Sequence, residues 1–454
     1  MVRGHPQPPR SGIGWAQQKK RNPRKESLVG YPMPGMWVQE HTLDVPLNWE
    51  NPAAETIRLF VRELVHPEKR SADLPLLLFL QGGPGGANPR PTAPGSWIKE
   101  ALEHYRIILA DQRGTGRSTP LEARDVAERG SAEAGADYLA LFRADSIIRD
   151  VEHVRHTLFG GRKWATLGQS YGGFLTLTYL SFHPEALAAC YVTGGIPGVP
   201  PRAADIYART FPRVEEKTAE YYRRYPQDAD TIAQIADLLM EEDVLLPDGD
   251  RLTVRRFQSL GQDFGMKPGF ERMHWLAETA FARPGRLSEG FLEDVQVQSS
   301  QAGRTLYWTL QEAIYADPAS GPTGWAAQAE RDRRSQFSEG ERPLLLTGEM
   351  SFPWMFEEIR ALKPMAPAVN ALHRKEDWAP IYDLERLASN EVPLAAAVYF
   401  DDMFVDAELS LGTLSRIGNS QRWVTNEFEH DGIGSGRTFT RLRDLVADRG
   451  GEQH

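Results

Sequence analysis

The chain has 454 residues, 41% of them hydrophobic, and a formal net charge of −10. That length exceeds one ordinary core, so one large domain with a sizeable insertion, or two domains, is expected. No apolar run approaches the ~18 residues that cross a bilayer, which excludes a membrane span, and the acidic balance argues against a general nucleic-acid partner, since phosphate binding needs a basic footprint.

The first 25 residues carry seven Arg or Lys and no acid. They are rich in Pro and Gly and lack the apolar stretch of a signal peptide, so residues 1–34 read as a flexible basic tail rather than a targeting segment or a nucleic-acid arm. A single cysteine, Cys190, rules out an internal disulfide framework. With no signal segment, it points to the reducing cytoplasm. Cys190 lies in the apolar run 187–192 and reads as a buried small hydrophobe.

Residues 37–47 and 56–65 alternate as strands and are expected to form an antiparallel pair leading into a sheet. Residues 74–80 form a continuous apolar run, the pattern of a strand buried on both faces. It ends in Gln81-Gly82-Gly83-Pro84-Gly85-Gly86. This loop lacks the Gly-Lys-Ser/Thr ending of a phosphate cradle and the spacing of a dinucleotide fingerprint, so nucleotide binding is rejected. It suits instead a loop that offers backbone N–H groups to an oxyanion, with Gly83 the first choice and Gly82 the second; Gln81 stands where such loops often carry histidine.

A strand over 105–110 closes on Asp111, and the charges there are expected to be scaffold, Asp111 pairing with Arg113 or Arg117. A helix follows over 144–158, with Ile147, Ile148, Val151, Val154 and Leu158 on one face. His153 and His156 on it lack metal spacing.

The next apolar run enters Gly168-Gln169-Ser170-Tyr171-Gly172-Gly173, and a helical pattern begins at once. Strand, tight turn and helix with serine at the apex form a nucleophile elbow, which puts Ser170 at the carboxyl end of a strand. The helix amino end favours the negative charge that builds when Ser170 attacks a carbonyl, and the Tyr171 N–H is expected to converge with that of Gly83 or Gly82 on the oxyanion. From 203 to 390 the texture becomes helical, as in 213–225, 231–242 and 270–282, with only the short extended run 343–347 between. The core resumes at 392–405, where a strand ends in two acids, Asp401 and Asp402. A last strand, 423–428, precedes Glu429-His430-Asp431-Gly432.

Serine needs a base to take its proton, and the base needs an acid to orient it. The chain supplies Ser170, then Asp401 or Asp402, then His430, each just past an expected strand. That order is the one an α/β-hydrolase uses. The expected fold is an α/β core of mostly parallel sheet with helices on both faces, formed by 35–202 and 391–446, and a mainly helical cap over 203–390.

The stretches Leu78 to Gly86, Asp111 to Ser118, Gly168 to Gly173 and Glu429 to Gly432 together resemble the proline iminopeptidase (prolyl aminopeptidase) family, in its larger form with an extended cap. The likeness runs from about residue 35 to 446; the first three motifs are shared with related hydrolases. The family's acid precedes a methionine at a strand end, which matches Asp402-Met403 and selects Asp402 over Asp401. The resemblance implies release of N-terminal proline from peptides through an acyl-enzyme on Ser170, without metal or other cofactor. A prolyl N-terminus is a secondary ammonium beside a small apolar ring, so its pocket needs a carboxylate and apolar walls. The family draws such carboxylates from the cap; Glu312 matches the helix that carries one and is the first candidate, and Glu349, among aromatics, is the second. A broader aminopeptidase, an esterase or an amidase would share the triad without the proline pocket, and a non-catalytic binding protein would have no use for the complete machinery. Assembly as a homo-oligomer is left open by the sequence.

Overall fold

All five residues of the run Leu76–Leu80 are buried, a pattern that only a strand covered on both faces sustains. Alternation sorts them: Leu77 and Phe79 join one apolar cluster, and Leu76, Leu78 and Leu80 the other. In the computed structural model, which describes residues 30–451, this strand lies near the middle of a nine-stranded sheet.

In chain order the strands are β1 (Tyr31–Met33), β2 (Met36–Pro46), β3 (Thr56–Val65), β4 (Leu76–Leu80), β5 (Arg106–Ala110), β6 (Trp164–Gln169) and β7 (Leu187–Thr193). Two short strands, β8 (Phe281–Arg283) and β9 (Arg286–Leu287), form a separate hairpin, and β10 (Leu394–Tyr399) and β11 (Ser420–Thr425) return to the sheet. Its spatial order is β1-β2-β3-β5-β4-β6-β7-β10-β11. The pairings from β1 to β5 are antiparallel and all those from β5 to β11 are parallel. The carboxyl ends of β4, β6, β7, β10 and β11 therefore share one edge, where ligands of open α/β sheets bind.

Helices Ser96–His104 and Arg437–Ala447 cover one face, contributing Trp97, Ile98, Leu102, Phe439 and Leu442 to the cluster around Leu77 and Phe79. Helices Ala144–Phe159 and Tyr171–Phe182 cover the other, where Leu78, Ile148, Leu175 and Val192 belong to the larger cluster. That cluster continues without a break into residues between β7 and β10, among them Phe211, Trp308 and Leu346. No described helix is long and apolar enough to cross a membrane.

Several boundaries differ from the sequence expectations. The tail expected over 1–34 already contains a strand, because Gly35 at φ 68° turns Tyr31–Met33 back onto β2; residues 1–29 lie outside the described residues. The helix expected from 213 begins at Ala203 and runs through Pro212, since Ile206, Tyr207, Phe211 and Val214 keep one face buried across the proline. The helix expected over 270–282 ends at Glu278, and Phe281 opens the hairpin instead. β11 lies three residues earlier than expected: it is an edge strand, and its polar first half, Ser420-Gln421-Arg422, carries no apolar signal.

The charges after β5 pair otherwise than expected. Arg113 is fully buried and donates to Asp150 at 2.7 and 2.6 Å and to the carbonyl oxygens of Pro46, Leu47 and Leu141. Asp111 pairs with Arg90 (2.9 Å), and Arg117 gives it only a backbone N–H while its side chain reaches Glu40. The turn at Gly114 and Gly116, both at positive φ, brings the Arg117 N–H back onto Asp111.

Candidate active site

β6 ends at Gln169, and Ser170 stands at φ 54°, ψ −125°, ahead of helix Tyr171–Phe182. A non-glycine residue at positive φ is strained, and neighbouring contacts must hold it. Here Ser170 N–H donates to Thr193 O at 3.0 Å and Gly173 N–H to Ser170 O at 2.7 Å. A Cβ at Gly172 would lie 1.9 Å from Leu80 O, so only glycine lets this turn close against β4.

The loop after β4 rests on the elbow. A Cβ at Gly82 would lie 2.9 Å from Ser170 Cβ and 2.5 Å from Gln169 Oε1, so Gly82 and Ser170 are in direct apposition. Gly82, Gly83 and Ser170 line one cavity of about 1200 Å3. Tyr171 is the first residue of its helix, where a backbone N–H has no carbonyl of the same helix to reach.

Asp402 follows β10 and His430 follows β11. His430 Nδ1 and Asp402 Oδ2 are 2.7 Å apart, and Asp402 Oδ1 accepts from the N–H groups of Phe404 (2.8 Å) and Val405 (3.1 Å). A carboxylate accepts, so Nδ1 carries the proton and Nε2 is left with its lone pair. Nε2 is buried, makes no hydrogen bond among the described residues, and belongs to a residue on the same cavity wall as Ser170. Burial opposes the imidazolium, yet the carboxylates of Asp402, Glu349 and Asp431 hold the His430 pKa above its ordinary value. Asp401 is partly exposed and lies 3.6 Å from Arg213, away from the imidazole.

The two cap acids separate sharply. Glu349 lines the cavity with Ser170 and His430. Its Oε1 accepts from the Tyr307 hydroxyl, which in turn accepts from Gln262 Nε2. Burial pushes the Glu349 carboxyl up to about 7, against the pull of Tyr307 and His430. Glu312 is not on that wall: it is 1% exposed, its two oxygens accept from Ala326 and Ala327 N–H at 2.9 Å each, and His373 Nδ1 lies 3.2 Å away. Of the two acids expected from sequence, Glu349 lines the cavity and Glu312 does not, because Glu312 is committed to the amino end of helix Ala326–Asp332.

Tyr307 and Gln262 were not anticipated; the only hint in the sequence is a tyrosine five residues ahead of Glu312. Tyr307, Trp308, Leu306 and Phe404 give the cavity apolar walls. Among the described residues no group of three or more His, Cys, Asp or Glu is placed to hold a metal ion.

The family described as alpha/beta hydrolase fold matches residues 75–346. A proline iminopeptidase of Aeromonas sobria is 42% identical over 409 residues, covering 90% of this chain and 95% of the relative. A proline iminopeptidase of Aspergillus aculeatus is 34% identical over 410 residues, 87% of this chain and 90% of its own. Among solved structures, a proline iminopeptidase of Mycobacterium smegmatis aligns over 89% of this chain and 97% of its own, at 14% identity and a TM-score of 0.41.

Proposed function

Given that this chain belongs to the proline iminopeptidase family of α/β-hydrolases, we propose that it releases N-terminal proline from peptides with Ser170, His430 and Asp402 as its catalytic triad. The observation that carries this reading is His430, bonded to Asp402, on the wall of the cavity that also holds the strained Ser170 and the buried acid Glu349.

His430 Nε2 takes the Ser170 proton as Oγ attacks the prolyl carbonyl, and Asp402 keeps the imidazole oriented and steadies its positive charge. The backbone N–H of Tyr171, with that of Gly83 or Gly82, receives the oxyanion. His430 then protonates the departing peptide amine, leaving prolyl-Ser170, and activates a water that frees proline. Glu349 receives the prolyl ammonium, and Tyr307, Trp308 and Phe404 flank the ring. The residues between β7 and β10, about 203–390, act as the cap that supplies this acid and these walls. The single cysteine favours a reducing cytoplasm as the place of work.

Turnover of proline, alanine and leucine arylamides by the wild type and by Ser170→Ala tests the proposal. Proline arylamide is expected to be cleaved best, and the variant to be inactive. Equal turnover of all three would overturn the proline assignment, and an active Ser170→Ala would overturn the nucleophile.

A further inference from the structure

The loops that carry the acid and the base are fastened to one helix of the cap, and both attachments fall on residues next in sequence to the catalytic ones. Helix Ala203–Arg224 presents Arg213, Val214 and Lys217 on one face, at the spacing of a single turn. Lys217 Nζ lies 2.6 Å from Glu429 Oε2, and Glu429 precedes His430. Arg213 Nη1 lies 3.6 Å from Asp401 Oδ1, and Asp401 precedes Asp402. Between them, a Cβ at Gly348 would lie 2.8 Å from Val214 Cγ2 and 3.0 Å from Met403 Cε, so Gly348, next to Glu349, packs against both this face and Met403, next to Asp402.

The base's loop has two further ties to the cap. His430 N–H donates to Gly265 O at 2.8 Å, and Lys267 Nζ donates to Glu427 O at 2.7 Å. By contrast, β11 ends at Thr425, so the sheet's ladder does not reach this loop. The two ion pairs are unequal. The side chains of Arg213 and Asp401 are 27% and 38% exposed, where an ion pair contributes little. Those of Lys217 and Glu429 are 6% and 18% exposed, and removing one partner there strands the other's charge away from water. Burial pushes the Glu429 carboxyl up, and Lys217 opposes that shift.

We propose that Lys217 is a positioning residue of the triad: through its ion pair with Glu429 the cap helix holds the His430 loop, so the base is aligned with Ser170 only while the cap is seated. The inference rests on the serine mechanism proposed above, but not on proline as the substrate. Because a displacement of about 1 Å between reacting groups costs on the order of a hundredfold in rate, loosening this loop affects turnover rather than binding.

The test uses the full chain and three variants, Lys217→Met, Glu429→Gln and the double variant. Three quantities are measured for each: kcat and KM on proline arylamide, the rate of Ser170 labelling by a serine-directed phosphonate, and Tm. Labelling needs Ser170 and His430 in register but no prolyl pocket. Each single variant is expected to lower kcat and the labelling rate roughly ten- to a hundredfold, with KM changed by less than about threefold. The double variant, which strands no charge, is expected to recover Tm but not the labelling rate. Recovery of the labelling rate together with Tm would overturn the proposal, since the pair would then matter only for stability. Rates unchanged in folded single variants would overturn it as well. If a single variant does not fold, the double variant decides between these outcomes. Wild-type protein that labels but leaves proline arylamide intact would refute the substrate and leave the labelling comparison in force.

Discussion

Replacing Glu349 by glutamine keeps the size and one acceptor of the side chain and removes the charge that would pair with the prolyl ammonium. A charge-assisted hydrogen bond in a buried site contributes about 1.5–3 kcal/mol, which corresponds to roughly a ten- to hundredfold loss in kcat/KM on proline arylamide. A simple ester without an amine never uses that contact and is expected to lose far less. Burial pushes this carboxyl up to about 7, so the effect depends on pH. Between about pH 7.5 and pH 6 its ionised fraction falls from roughly three-quarters to roughly one-tenth. The ratio of proline arylamide to ester kcat/KM in the wild type is therefore expected to fall several-fold on acidification, whereas in Glu349→Gln it stays flat. Taking the ratio within one enzyme cancels the protonation of His430, which both substrates require to be neutral. The substitution also removes a carboxylate that raises the His430 pKa, so the rising limb of ester hydrolysis should move toward acid. Equal losses on the two substrates, or a ratio in Glu349→Gln that still varies with pH as in the wild type, would refute the assignment of the amine to Glu349.

Other consequences follow from the same geometry. Asp402→Ala should lower kcat on proline arylamide by roughly 10³-fold or more, as should His430→Ala, while Asp401→Ala stays near wild type, because only Asp402 touches the imidazole. Gly82→Ala should abolish turnover with the fold retained by circular dichroism, since the added methyl meets Ser170 Cβ at 2.9 Å. Glu312→Gln should lower Tm and depress ester and proline arylamide hydrolysis alike, as its carboxylate serves Ala326 and Ala327 N–H rather than the cavity. Arg113→Met should cost about 3–5 kcal/mol of stability, read as a lowered Tm, because it leaves Asp150 buried without its partner.

The parts of this fold that the sequence makes legible are those whose residues face one environment along their length. Leu76–Leu80 is buried on both faces, and a five-residue apolar run between turn signals has few other readings. The elbow is legible for a second reason: Gly172 approaches Leu80 O so closely that no other residue fits, and such a constraint leaves its mark as a fixed glycine. Where a strand lies at an edge the signal weakens. β11 alternates between partly buried and exposed positions, so its polar half reads as loop and its boundary is misplaced by three residues. Pro212 misleads in the opposite direction. A proline ordinarily starts or ends a helix, but the buried faces on either side of it continue one helix across the break.

The choice between the two cap acids was beyond the sequence for a different reason. Glu312 and Glu349 each sit among apolar and aromatic neighbours, and local pattern assigns them the same environment. What separates them is which backbone N–H groups arrive from elsewhere. Ala326 and Ala327 reach Glu312 from a helix fourteen and fifteen residues on, whereas Glu349 is met by side chains, those of Gln311 and Tyr307 and, through the latter, Gln262. A carboxylate whose two oxygens already accept from main-chain donors has little capacity left for a ligand. One held by side chains alone and pushed up to about 7 by burial gains more from a cation that enters the cavity. The acid least stabilised by the folded chain is therefore the one best suited to receive the ammonium, and that ranking is a property of tertiary contacts that no stretch of sequence around either residue contains.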